Sequence, residues 1–177
     1  MKRSVAILVV LLLGVLGVVA AAPANAAGAS CGVRWGSLPK ELSTGSTGEV
    51  VNIRAGRHRC FDRLVLDVSG DANGYFVRYV DEVRMDGSGD LVPLRGGARL
   101  EVTATAPAVA ADAWFLPNGE LIDTTGYQTF RHVAWAGSFE GQTTIGVDVR
   151  ARLPFRAFLL DGPGSGSRMV VDVAHTW

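Results

Sequence analysis

One six-residue pattern occurs twice in this 177-residue chain and limits its fold more than any other feature. Arg63-Leu64-Val65-Leu66-Asp67-Val68 and Arg168-Met169-Val170-Val171-Asp172-Val173 both read Arg-apolar-Val-apolar-Asp-Val. With the two-residue period of a β-strand, Leu64, Leu66 and Val68 share one face, as do Met169, Val171 and Val173. Arg63, Val65 and Asp67 take the other face of the first copy, and Arg168, Val170 and Asp172 that of the second. A duplicated strand with one buried face points to a two-sheet body with an approximate internal repeat.

Other segments repeat the alternation. Residues 49–54, 75–83, 98–105, 143–153 and 155–160 read as strands, with Tyr75, Val77 and Tyr79 on one side and Leu100 and Val102 opposite Glu101 and Thr103. Ser69-Gly70-Asp71-Ala72-Asn73-Gly74, Asp86-Gly87-Ser88-Gly89-Asp90 and Gly162-Pro163-Gly164-Ser165-Gly166 are turn signals between them. Residues 107–141 stay open between two readings. Pro117-Asn118-Gly119 turns a hairpin between 114–116 and 121–122, or 108–113 forms a helical turn. Seven or eight short strands, Gly-rich turns and no long amphipathic helix predict an all-β fold, a two-sheet β-sandwich.

The N-terminus reads as an export signal. Lys2 and Arg3 precede an apolar run over residues 5–22, and Ala24-Asn25-Ala26 is a small-x-small cleavage site. The expected organisation is a signal peptide over 1–26, an N-terminal segment over 27–48 tied down by a disulfide, and a β-domain over 49–177. An uncleaved anchor is the competing reading, since about 18 apolar residues just span a bilayer. Cleavage is favoured by Gly14, Gly17, Pro23 and the Ala-Asn-Ala site, and no membrane span is expected after it. Cys31 and Cys60 are the two cysteines, and an even count in an exported chain reads as a disulfide. Closing a loop of about 30 residues contributes about 3 to 4 kcal/mol in the chain-entropy model.

Charge narrows the partners. The 17 basic residues balance 17 acidic ones, and removal of Lys2 and Arg3 leaves a slightly acidic chain, which argues against nucleic acid. The histidines His58, His132 and His175 are far apart and lack metal-ligand spacing, so no metal and no cofactor is expected. Ser138 lies in Gly-Ser-Phe-Glu-Gly, which is not the Gly-x-Ser-x-Gly of acyl transfer. Glu140, with Asp148 or Asp123 as partner, is the one carboxylate pairing to weigh for glycoside hydrolysis, and nothing local supports it. Binding features are better. Arg57 and Arg59 stand in a basic turn before the first copy of the repeat, and Arg150, Arg152 and Arg156 surround Pro154. Such arginines suit carboxylates or phosphates through bidentate hydrogen bonds, while Trp114 and Trp135 offer rings for stacking on sugars. For Arg63 and Arg168 the favoured reading is internal pairing with aspartates at cross-strand reach.

Gly56-Arg57-His58-Arg59-Cys60-Phe61-Asp62-Arg63-Leu64-Val65-Leu66-Asp67, Gly137-Ser138-Phe139-Glu140-Gly141, Arg150-Ala151-Arg152-Leu153-Pro154-Phe155-Arg156 and the terminal Arg168 to Val173 run together resemble the AMIN-like domain of exported actinobacterial proteins. The likeness runs from about Val50 onward. It implies a β-sandwich and a targeting or peptidoglycan-binding module rather than a catalyst. The expectation is a secreted or wall-associated, non-catalytic binder of peptidoglycan or an anionic wall polymer. The alternatives are a module that recruits an envelope protein and a wall hydrolase built on Glu140.

Overall fold

A computed structural model describes residues 31–44, 47–72, 74–108 and 119–177. The expected signal segment over 1–26 and Trp114 lie outside the described residues. Cys31–Trp177 forms one compact unit. In chain order its strands are β1 (Lys40–Leu42), β2 (Val50–Arg57), β3 (Phe61–Val68), β4 (Tyr75–Val80), β5 (Ala98–Ala104), β6 (Phe130–Phe139), β7 (Gln142–Val149), β8 (Phe155–Asp161) and β9 (Ser167–Ala174). They build two antiparallel sheets, one ordered β1-β4-β5-β7-β6 and the other β2-β3-β9-β8. The two-sheet sandwich expected from the alternation is therefore the fold.

The inner faces follow the two-residue period. Leu64, Leu66 and Val68 of β3 and Met169, Val171 and Val173 of β9 are buried against Leu100 and Val102 of β5 and Ile145, Val147 and Val149 of β7. Phe130 and Phe155 are the bulkiest fully buried side chains. The sheets are also joined by polar ties from β4. Tyr75 Oη donates to the Ala157 carbonyl at 2.9 Å, and Tyr79 Oη both donates to the Leu153 carbonyl and accepts from the Leu153 amide. The two copies of the repeat, β3 and β9, lie side by side in the four-stranded sheet with Arg63 opposite Asp172 and Asp67 opposite Arg168.

Among the described residues nine strands stand where about seven or eight were expected, and β1 and β6 account for the difference. The three-residue β1 is too short to show a period. The opposite problem hides β6, whose residues His132 to Gly137 are buried without interruption, so no alternation is left to read. The cause is a second apolar layer outside the five-stranded sheet, where Val83 and Val92, with Val80, Met85 and Leu94, pack on Ala134 and Ala136. Gly146 of β7 lies under this layer, where an added Cβ would come within 3.1 Å of a Leu94 methyl and 3.2 Å of a Val83 methyl. Of the hairpin expected around Pro117-Asn118-Gly119, the first arm and the Pro-Asn pair fall outside the described residues. Past Gly119, Glu120 bridges Ala134, and the Leu121 amide donates to the Val133 carbonyl.

Besides the pairing of β1 with β4, the N-terminal segment is tied to this body through its first residues. Cys31 and Cys60 form a disulfide across a sequence separation of 29. The Phe155 amide donates to the Gly36 carbonyl at 2.9 Å, and Arg152 donates to both the carbonyl and the hydroxyl of Ser37.

Candidate functional site

The outer faces of the two sheets differ. Residues 81–97 cover part of the five-stranded face with apolar side chains, whereas the four-stranded face carries rows of arginines, aspartates and rings. Pairing of β2, β3, β9 and β8 sets three rows. Arg63, Asp172 and Arg156 form the first, Arg54, Val65, Val170 and Phe158 the second, and Asn52, Asp67, Arg168 and Leu160 the third.

Asp172 is the centre of the first row and is fully buried. Arg63 grips it with Nε at 2.6 Å and Nη2 at 2.8 Å, one to each carboxylate oxygen. Arg156 approaches from the other side with Nε at 2.8 Å. Rings flank both guanidinium groups. The Arg156 guanidinium carbon lies 4.4 Å from the Trp35 ring centre, 5.0 Å from Phe158 and 5.6 Å from Phe61, while that of Arg63 lies 5.2 Å from Phe61 and 5.6 Å from Phe158. Cation–π contact and the shared carboxylate together hold two positive charges in place over one negative charge. Trp35 meets Phe61 edge-on at 5.7 Å, and His58 stacks on Phe61 at 4.5 Å.

The third row is arranged differently. Asp67 accepts from Arg54 through Nε and Nη2 and from Asn52 through Nδ2. Partial burial would raise the Asp67 carboxyl, but the bonds from Arg54 and Asn52 outweigh it and hold the group below its ordinary value. Arg168, the cross-strand neighbour of Asp67, donates instead to the Asp161 carbonyl through Nη2.

Of the residues singled out in the sequence, Arg156 stands in this layer. Arg57 is exposed at the end of β2, where it reaches the Gly126 carbonyl and the Tyr127 ring, and Arg59 is exposed in the following turn. Arg150 donates to the His175 carbonyl, and Arg152 lies over the Tyr79 ring while bound to Ser37. Trp135 is 5% exposed and packs in the core, so the rings available to a ligand here are Trp35, Phe61 and Phe158. A sequence signal for two of the three, Trp35 and Phe61, existed. The disulfide of Cys31 and Cys60 brings the stretch holding Trp35 to Phe61, and Phe61 shares the outward parity of Arg63.

The five-stranded sheet holds a second polar group, covered rather than presented. His132 of β6 is the cross-strand partner of Asp148 of β7, both are buried, and neither ring nitrogen nor carboxylate oxygen has a hydrogen-bond partner among the described residues. Burial pushes His132 down, aided by Arg95, and pushes Asp148 up against the opposing pull of Arg99. Glu140 is exposed in the β6–β7 turn, whereas Asp148 is near the far end of β7, on the order of 20 Å away by strand rise. Asp123 caps the Thr125 amide before the opposite end of β6. Neither aspartate faces Glu140 across a cleft of the 5 to 10 Å or so that glycosidic cleavage requires. Among the described residues no three His, Cys, Asp or Glu side chains are grouped to hold a metal ion.

Compared with known families, residues 48–175 match the model described as AMIN-like domain. No match was found among curated proteins or among solved structures.

Proposed function

The chain belongs to the AMIN-like domain family, and on that premise we propose that it is a non-catalytic wall-polymer binder whose recognition surface is the outer face of the four-stranded sheet. AMIN-like domains are a non-catalytic module type associated with peptidoglycan-related envelope proteins, and together with the Cys31–Cys60 disulfide this suggests an extracytoplasmic protein. The observation that carries the reading is the layer around Asp172, where two arginines share one fully buried carboxylate among three rings. Arg63 and Arg156 are already oriented before a ligand arrives, which lowers the ordering entropy of binding. Their Nη1 groups have no hydrogen-bond partner among the described residues and serve acidic groups of the polymer, while Trp35, Phe61 and Phe158 give apolar contact to its sugar or peptide.

The test is a pull-down on purified cell-wall sacculi, with and without secondary polymers stripped, across a salt series. Wild-type protein is expected to sediment with sacculi and to be released by salt. Arg156→Gln and Trp35→Ala are each expected to weaken binding about tenfold, the loss of one charge-assisted hydrogen bond or one ring contact. Binding lost on stripping assigns the ligand to the secondary polymer. No sedimentation in any condition would sink the wall reading and leave recruitment of an envelope protein as its replacement.

A further inference from the structure

Beside the Asp172 layer, the same face opens into a cavity of 200 Å3 lined by Arg54, His58, Arg63, Val65, Arg168 and Val170, among others. We propose that this cavity is a phosphate subsite, taking one phosphate group of the bound polymer. Its assignment to a polymer rests on the wall-binding reading, but the site itself is defined by its donors.

The nitrogens already engaged limit what the cavity can take. Arg54 uses Nε and Nη2 on Asp67, and Arg63 uses Nε and Nη2 on Asp172, so the Nε–Nη2 edge of each guanidinium is closed by a carboxylate. What remains on each is the outer Nη1–Nη2 edge. Arg168 is different. Its aspartate neighbour across the strands is taken by Arg54, its Nη2 bonds only a backbone carbonyl, and its Nε is buried with no hydrogen-bond partner among the described residues. Buried donors without an acceptor are rare in folded proteins and mark places where an acceptor belongs.

Charge points the same way. Asp67 is closed by Arg54 and also felt by Arg168, and Asp172 is shared by Arg63 and Arg156, so positive charge exceeds negative charge beside the cavity. A planar carboxylate needs only one such edge, whereas three guanidinium groups line this one cavity. Donors from three separate side chains suit the tetrahedral oxygens of a phosphate. The Val65 and Val170 side chains between them lower the local polarity and strengthen each such bond.

The test uses the whole protein and titrates inorganic phosphate, dimethyl phosphate or acetate at constant ionic strength while arginine Nε–H resonances are followed by NMR. Both phosphates are expected to shift the Arg168 signal saturably, with acetate at least tenfold weaker. Arg168→Gln should weaken phosphate binding at least tenfold, Arg168→Lys should retain part of it, and Arg95→Gln, which lies on the other sheet, should leave it unchanged. An Arg168 response that never saturates, or equal affinity for acetate, or an Arg168→Gln variant that folds and binds phosphate normally, would overturn the subsite. The sacculus pull-down separates this result from the parent reading. Sedimentation without any phosphate response removes the subsite alone, whereas a saturable phosphate response without sedimentation keeps the subsite and removes the wall polymer as its source.

Discussion

Arg63 on β3 closes both oxygens of Asp172 on β9, at 2.6 and 2.8 Å, and so joins the two copies of the repeated pattern to each other. Antiparallel pairing makes this possible, because the arginine of each copy falls opposite the aspartate of the other. Only one of the two couples is formed, since Arg54 has taken Asp67 and left Arg168 aside. The formed couple also differs in burial. Asp172 is fully buried, whereas the Arg54 and Asp67 side chains are 51% and 23% exposed.

Asp172→Ala is therefore expected to destabilise the protein by about 3 kcal/mol, because it leaves two arginines without the carboxylate that holds them against the rings. Arg54→Gln, at an exposed pair, should cost less than about 1 kcal/mol. Urea denaturation of the two variants decides the matter, and equal losses would mean that Asp172 does not organise this face.

The disulfide is expected to matter for both stability and recognition. Replacing Cys31 and Cys60 together by serine opens a loop with a sequence separation of 29 and should lower stability by about 3 to 4 kcal/mol in the chain-entropy model. Because the bridge sets the approach of Trp35 to Phe61, the same variant should also lose sacculus binding under conditions where it remains folded. Folded protein that binds at the wild-type level would detach the N-terminal segment from the site.

Strands whose outer positions carry polar side chains were legible in the sequence, and β3, β5 and β9 kept their inward and outward residues as the alternation required. β6 was not, because residues 81–97 cover its outer side and remove the polar half of the pattern. The site shows a parallel limit. Arg156 was found through its charge, and the internal pairing read for Arg63 is present, yet pairing and ligand contact are not exclusive for a side chain with five donors. Trp35 entered the site through a disulfide and a segment crossing β8, which no local period encodes.

Tyr79 offers a test of how the sheets are joined. Its hydroxyl closes both backbone groups of Leu153, at 2.9 and 3.0 Å, between β4 and the chain leading into β8. Tyr79→Phe keeps the ring against Phe155 but leaves that amide and carbonyl unpaired beside a buried side chain. A loss of about 1 to 3 kcal/mol is expected, with faster amide exchange at Leu153. Unchanged stability and exchange would show that the tie contributes nothing.

The covered pair on the other sheet gives the protein a pH dependence with a definite sign. Burial holds Asp148 above the ordinary value of 3.8, only partly opposed by Arg99 and the nearby amides of Val149 and Ala98. The native state then keeps a proton that the unfolded chain releases, so this contribution is complete below 3.8 and is lost as pH rises through the raised value. His132 acts in the opposite sense. Burial and Arg95 hold it below 6.5 despite Glu120, so its contribution is complete above 6.5 and is lost as pH falls through the lowered value. Asp148→Asn removes the first dependence and retains the second. The variant should melt higher than wild type at pH 7, and its advantage should shrink steadily on acidification toward pH 3.8. An advantage that stays constant over that range would trace the effect to packing, and no advantage at pH 7 would show that the buried carboxylate is stabilised as an anion.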